Sequence, residues 1–181
     1  MIDIQKEIEK KFPNINKKDN FLKKSLFKVA KKIVHEDSIN QFLTQNAHLK
    51  GFEFVDAVLD YFDFDYTVSS SDLQNIPTSG KVVIIANHPL GGLDALCLLR
   101  LISQVRKDVK IVANDFLAGF EALNSLLIPI DNYKLRQSKN DKKKIYEALN
   151  NEEAIILFPA GEVSRATPKG IKDPAWNKGF L

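Results

Sequence analysis

Four short apolar runs rich in branched side chains constrain this chain more than any other feature. They are Lys81–Ala86 (KVVIIA), Val109–Ala113, Leu126–Ile130 and Ala154–Phe158. Branching at Cβ favours extended backbone, and runs with little polar alternation suit strands buried on both faces. Between them lie stretches of helical period: the apolar Leu93–Val105, Phe116–Leu123, and the lysine-rich Ser138–Asn150, where Ser138 and Asp141 can form a cap. Strands alternating with helices predict an α/β fold with a mixed, largely parallel sheet flanked by helices. Residues 1–60 read as an N-terminal helical segment, broken near Pro13, with pieces around 38–47 and 52–61. It is expected to pack on a core spanning 61–181, within one domain overall. Phe62, Phe64, Tyr66 and Val68 alternate with Asp63, Asp65 and Thr67, which predicts a further, half-buried strand. Ser69–Ser71 and Asn75–Gly80 read as turns. Beyond Phe158 the periodicity stops, and Pro159, Gly161, Pro168, Gly170, Pro174 and Gly179 indicate a functional loop in place of a packed element.

Composition narrows the function classes. A chain of 181 residues suits one domain with a core large enough to need no disulfide or metal staple. The single cysteine, Cys97, excludes an internal disulfide and a multi-cysteine zinc site, and its apolar surroundings mark it as core. No acidic cluster has metal-ligand spacing, and His35 and His48 stand in polar sequence as surface residues. No apolar run is long enough to span a bilayer, and the charged start MIDIQKEIEKK argues for the cytoplasm. Charge is uneven. Residues 1–35 hold ten lysines against four acids, 36–133 hold six basic against thirteen acidic side chains, and 134–181 hold ten against six. Positive ends hint at an anionic membrane surface or ligand, while nucleic acid is disfavoured by the acidic middle and the lack of an aromatic–basic platform. Asp19–Val34 sharpens the point: Leu22, Leu26, Val29, Ala30 and Ile33 share a helical stripe, with lysines mostly elsewhere on the wheel. Such a helix either lies in the headgroups of an anionic bilayer or packs on its own domain; both readings stand.

Two loops carry chemistry. In parallel α/β sheets, ligands bind beyond the carboxyl ends of the strands. Directly after KVVIIA comes Asn87-His88-Pro89-Leu90-Gly91-Gly92-Leu93-Asp94. Imidazole titrates near neutral pH and can take a proton from a hydroxyl, and a carboxylate six residues on can fix its tautomer. Asp94 can equally be a helix cap beside a chance histidine. Directly after the last strand comes Pro159-Ala160-Gly161-Glu162-Val163-Ser164-Arg165. Arg165 can grip an anion with paired hydrogen bonds, and Gly161 allows close backbone approach; an ordinary surface turn with a salt bridge fits equally.

Taken together, NHPLGGLD and FPAGEVSR resemble the glycerolipid acyltransferase family, most of all its bacterial hemolysin-like branch, over roughly residues 60–180. The resemblance implies the glycerol-3-phosphate acyltransferase-like fold and a fatty acyl transfer from a thioester to a lysophospholipid-like or other polar-headed lipid acceptor. It makes His88 the general base and Asp94 its orienting partner. Asn87, Gly91, Gly92, Gly161, Glu162, Ser164 and Arg165 fall among the substrate-binding positions, with backbone N–H groups around Gly91 and Gly92 as oxyanion donors. No metal or bound cofactor is implied; acyl-CoA or acyl carrier protein would be the co-substrate. The expected partners are the lipid acceptor, the inner face of the cytoplasmic membrane as a peripheral surface, and acyl carrier protein if that is the donor.

The motifs also depart from the family's pattern. Five residues, in place of the usual four, separate His88 from Asp94. In the second motif Ala160 stands where the family has Glu and Val163 where it has Arg, with Glu162 and Arg165 nearby. The family's intermediate Arg block has no clean copy between Ala118 and Arg136, where Lys134 and Arg136 are the substitutes at hand. Family members continue into a further strand and a proline-containing block after the second motif. A chain ending at Leu181 is therefore expected to lack the last strand or strands and to leave the acceptor pocket open. A degenerate lipid- or phosphate-binding member, or a thioesterase or esterase whose His88 activates water, are the rival readings.

Overall fold

The computed structural model describes residues 3, 5, 6, 9, 27, 28, 35–114, 119–130, 139–168 and 170–176. It divides into two compact units, 1–48 and 49–181. In the first unit, helix α1 (Glu36–Gln45) buries Phe42, and Phe27 is also buried. Apart from Phe27 and Lys28, the basic stretch 19–34 lies outside the described residues, as do Lys134, Arg136 and the Ser138 cap.

In the second unit, four strands form one wholly parallel sheet: β1 (Val82–Ile85), β2 (Val109–Asn114), β3 (Leu127–Ile130) and β4 (Ala154–Leu157), in the order β1-β4-β2-β3. The four runs singled out from sequence are these strands. Ala154, Ile155 and Ile156 are fully buried because β4 sits inside the sheet and is covered on both faces. Helix α4 (Gly92–Ser103) packs on β2 through a stripe that includes Ala95, Leu99 and Ile102, spaced four and three apart. Helix α2 (Gly51–Tyr61) packs on α4 and on a 3-10 segment (Glu121–Leu126), burying Phe54, Val55 and Leu59. Helix α5 (Lys139–Asn150) lies over β3 and β4, where Ala148 meets Ile128 and Ile155. Val83 and Ile85 pair in register with Ile155 and Leu157 and so share that face, but α5 packs mainly on β3 and β4 and leaves edge strand β1 little covered. They stay 37% and 40% exposed.

Several expectations are corrected. The boundary expected after residue 60 falls after 48: α2 belongs to the second unit because its apolar stripe is part of that core. Phe62–Val68 forms no strand and pairs with no described strand. Phe62 is half exposed, Asp63 takes a left-handed conformation (φ 48°) that ends α2, and the Phe64 N–H returns to the Leu59 carbonyl at 2.9 Å. Ser70–Gln74 is a short helix, α3, in place of a turn; the Ser69 hydroxyl caps it by accepting the Asp72 N–H and also donates to the Asp72 carboxylate. The stretch expected to be helical from 116 to 123 has a 3-10 turn where it is described. The expected loop after Phe158 contains an antiparallel hairpin, β5 (Arg165–Thr167) and β6 (Gly170–Lys172), turned where Thr167 donates to the Gly170 carbonyl.

Candidate functional site

Because β4 inserts beside β1, the loops leaving these two strands become neighbours at the carboxyl end of the sheet. The Ala86 N–H still reaches the Leu157 carbonyl one step beyond the paired strands, and the Ser164 N–H donates to the His88 carbonyl at 2.9 Å. The two motifs are therefore stitched by backbone.

Within the first loop the chain folds back sharply. Gly91 adopts φ 73°, ψ −129°, a conformation open essentially to glycine alone, and α4 begins immediately after it. A Cβ on Gly91 would meet the Val163 Cγ2 at an ordinary 3.6 Å, so the glycine requirement is conformational. That turn absorbs the fifth residue between His88 and Asp94 and still brings the pair together: Nδ1 of His88 lies 3.3 Å from Oδ2 of Asp94. The angle falls short of a true hydrogen bond, and the enclosed Nδ1 has no other polar partner. Asp94 does not cap α4, whose N-cap is Gly91 without a side-chain bond; its Oδ2 instead accepts the Leu90 N–H at 2.7 Å and pins the loop before the helix.

A residue that sequence reasoning missed completes the setting. Phe158, the first residue after β4, stacks on the His88 ring with centroids 4.0 Å apart and planes 18° from parallel. The signal was a phenyl at the end of a strand, but only the order of the sheet shows that it faces His88. Burial pushes the His88 imidazole below its usual pKa, with the Asp94 carboxylate opposing that shift. The ring is thus a neutral base at pH 7.

The second loop behaves less uniformly. Gly161 turns with φ 71°. The Ser164 hydroxyl donates to the Asp173 carboxylate, tying the two ends of the hairpin. Arg165 forks onto Glu162 with its Nη2 at 2.7 and 2.9 Å from the two carboxylate oxygens, both side chains being exposed. Asn87 stands next to His88 in the first loop, and among the described residues no hydrogen bond or ion pair ties it to this group; Gly92 opens α4 with free space where a Cβ would stand. Cys97, expected in the core, is only half-buried, and its thiol is pushed up by burial. Among the described residues no group of three or more His, Cys, Asp or Glu could hold a metal ion, and no helix is long and apolar enough to cross a membrane.

A parallel α/β sheet with a shielded His/Asp pair at its carboxyl end, and a second glycine-turned loop bonded to it, defines a class of proteins that work on ligands held at that edge. A model of the acyltransferase family matches residues 7–181, and the chain belongs to that family. It is 32% identical over its whole length to a lyso-glycine lipid O-acyltransferase of Bacteroides thetaiotaomicron and to another of Phocaeicola vulgatus. The chain spans 65% and 63% of the lengths of those two relatives. No solved structure matches it significantly.

Proposed function

We propose that this protein transfers a fatty acyl group from a thioester donor, acyl-CoA or acyl carrier protein, to a hydroxyl of a lyso-lipid. The observation that carries the reading is the enclosed Nδ1 of His88 facing Asp94, which leaves Nε2 as the nitrogen for an incoming hydroxyl. In this mechanism Asp94 holds the Nδ1–H tautomer and Nε2 removes the acceptor's proton. The alkoxide attacks the thioester carbonyl. The tetrahedral intermediate places its oxyanion near the first-turn N–H groups of α4, which the helix leaves without internal partners. Collapse forms the ester and expels the thiolate, which takes the proton back from the His88 imidazolium. No acyl-enzyme is needed.

The relatives' names favour a glycine-based lyso-lipid as acceptor, a choice supported by 32% identity along the whole chain. An anionic headgroup would take Arg165 from Glu162, a competition that exposure of both partners makes cheap. The protein would meet such lipids as a peripheral protein at the inner face of the cytoplasmic membrane. The test is mass spectrometry of lipid products after supplying both donors with glycine-based and phosphate-headed lyso-lipids. A new ester on the glycine-based acceptor is expected, and His88→Ala should lower turnover by about 10²–10⁴-fold. Free fatty acid released without acceptor would assign a thioesterase instead; full turnover in His88→Ala would end the proposal.

A further inference from the structure

Of the exposed large apolar side chains among the described residues, four lie on the loops around His88: Leu90 at 55%, Val163 at 42%, Ile171 at 70% and Trp176 at 41%. Hydrogen bonds link the segments that carry them. Leu90 precedes the turn at Gly91, against which Val163 rests. Ser164 follows Val163 and is bonded both to the His88 carbonyl and to Asp173, two residues after Ile171 and three before Trp176. Ile171 sits on a strand of three residues, too short to bury it. Charge accompanies the apolar groups: from Glu162 to Asp173 the sequence contains Arg165, Lys169 and Lys172 against the two bounding acids, of which Glu162 pairs with Arg165 and Asp173 is bonded to Ser164.

We propose that the β5–β6 hairpin is an interfacial anchor that sets Ile171 and its rim into an anionic lipid bilayer, presenting the His88 site to lipid in the membrane. The inference rests on the lipid acceptor proposed above. An isolated, highly exposed isoleucine flanked by cations matches the boundary between headgroups and acyl chains, where apolar groups enter and lysines meet lipid phosphates. A second copy of the chain would be a poorer occupant, because a stable interface requires a broad, closely packed face and this hairpin offers three residues per strand.

Trp176 is the only tryptophan and reports on the rim without labelling. The full chain is mixed with phosphatidylcholine vesicles with or without phosphatidylglycerol, some carrying acyl-chain bromines. With phosphatidylglycerol, a blue shift and bromine quenching are expected, both weakened by salt. Ile171→Glu should weaken partitioning by at least about tenfold, with Ile171→Ser intermediate. Lys172→Glu should weaken it on anionic vesicles only. His88→Ala should bind like wild type, so a failure of the catalytic reading would leave this readout intact. Vesicle binding without quenching of Trp176, or unchanged by Ile171→Glu, would overturn the anchor. So would a spectral shift that appears with protein concentration alone and vanishes in Ile171→Glu, which would give the rim to a second copy.

Discussion

His88 is held by three different kinds of force, and each gives a different mutational signature. Phe158 covers one face of the ring, Asp94 faces Nδ1, and the Ser164 N–H fixes the backbone carbonyl. Burial is the larger influence on its ionisation and depresses it, so the neutral imidazole persists below the usual histidine value of about 6.5. The acid limb of a kcat/KM pH profile is therefore expected below pH 6.5. Asp94→Asn removes the group that favours the imidazolium, so that limb should move to still lower pH while kcat drops by about 10²-fold or more. An upward move would contradict the assigned environment. Phe158→Leu acts in the other direction. It uncovers the ring, lets the pKa rise toward its ordinary value, and should cost roughly two- to tenfold in kcat, the worth of one aromatic contact. Phe158→Tyr keeps the stack and should keep the profile. The same depression adds a stability term with a definite sign: it is complete above about pH 6.5 and is lost as pH falls through the lower folded value.

The elements show which features of sequence carry structural information and which do not. Strand β4 could be read from AIILF because burial on both faces leaves an unbroken apolar run; β1 has an equally apolar run, KVVIIA, although at the sheet edge its Val83 and Ile85 stay exposed. The alternation at Phe62–Val68 is equally real but pairs with no described strand, and pairing is not a local property. The hairpin was obscured for the opposite reason, since Ala166 and Ile171 are too few to make a period. The His88–Asp94 pair was visible as a spacing, whereas its stack on Phe158 depends on β4 inserting next to β1, which no residue announces. Arg106 is a further case. It follows α4 within three residues and uses its whole guanidinium: two bonds to Asp108, one each to the carbonyls of Pro77 and Glu152, and a 2.8 Å bond to that of Gly80. It thereby ties the entry of β1, the entry of β2 and the turn before β4 at the end of the sheet away from His88. Arg106→Met should cost about 2–4 kcal/mol in chemical denaturation, and Arg106→Lys should recover little because one ammonium cannot span four partners. Turnover per folded molecule should be unchanged. Asp108, whose carboxyl the Arg106 guanidinium holds below its usual range, gives a contribution present above the unfolded carboxylate pKa and lost as pH falls through the folded one. In Arg106→Met that acid sensitivity should shrink.

At the scale of the whole molecule, the position of the division along the chain decides what can fold alone. The unit from 49 to 181 contains the sheet, the helices on it and both motif loops. A cut at 61, where the composition suggested a boundary, would remove Phe54, Val55 and Leu59, of which the last two are fully buried. Burying side chains of this size contributes about 1.5–3 kcal/mol each, so the three together approach the whole net stability of an ordinary domain, about 5–15 kcal/mol. Their loss would also expose the α4 surface that α2 covers. A chain starting at Leu49 is therefore expected to unfold in one cooperative thermal transition, with the His88 imidazole still titrating below its ordinary value by NMR. A chain starting at Phe62 is expected to show no such transition and to bind hydrophobic dyes. Cooperative melting of the shorter piece would mean that α2 is an appendage and that the sheet, α4 and α5 suffice. Failure of the longer piece alone would mean that residues 1–48 supply part of the core on which the His88 site stands.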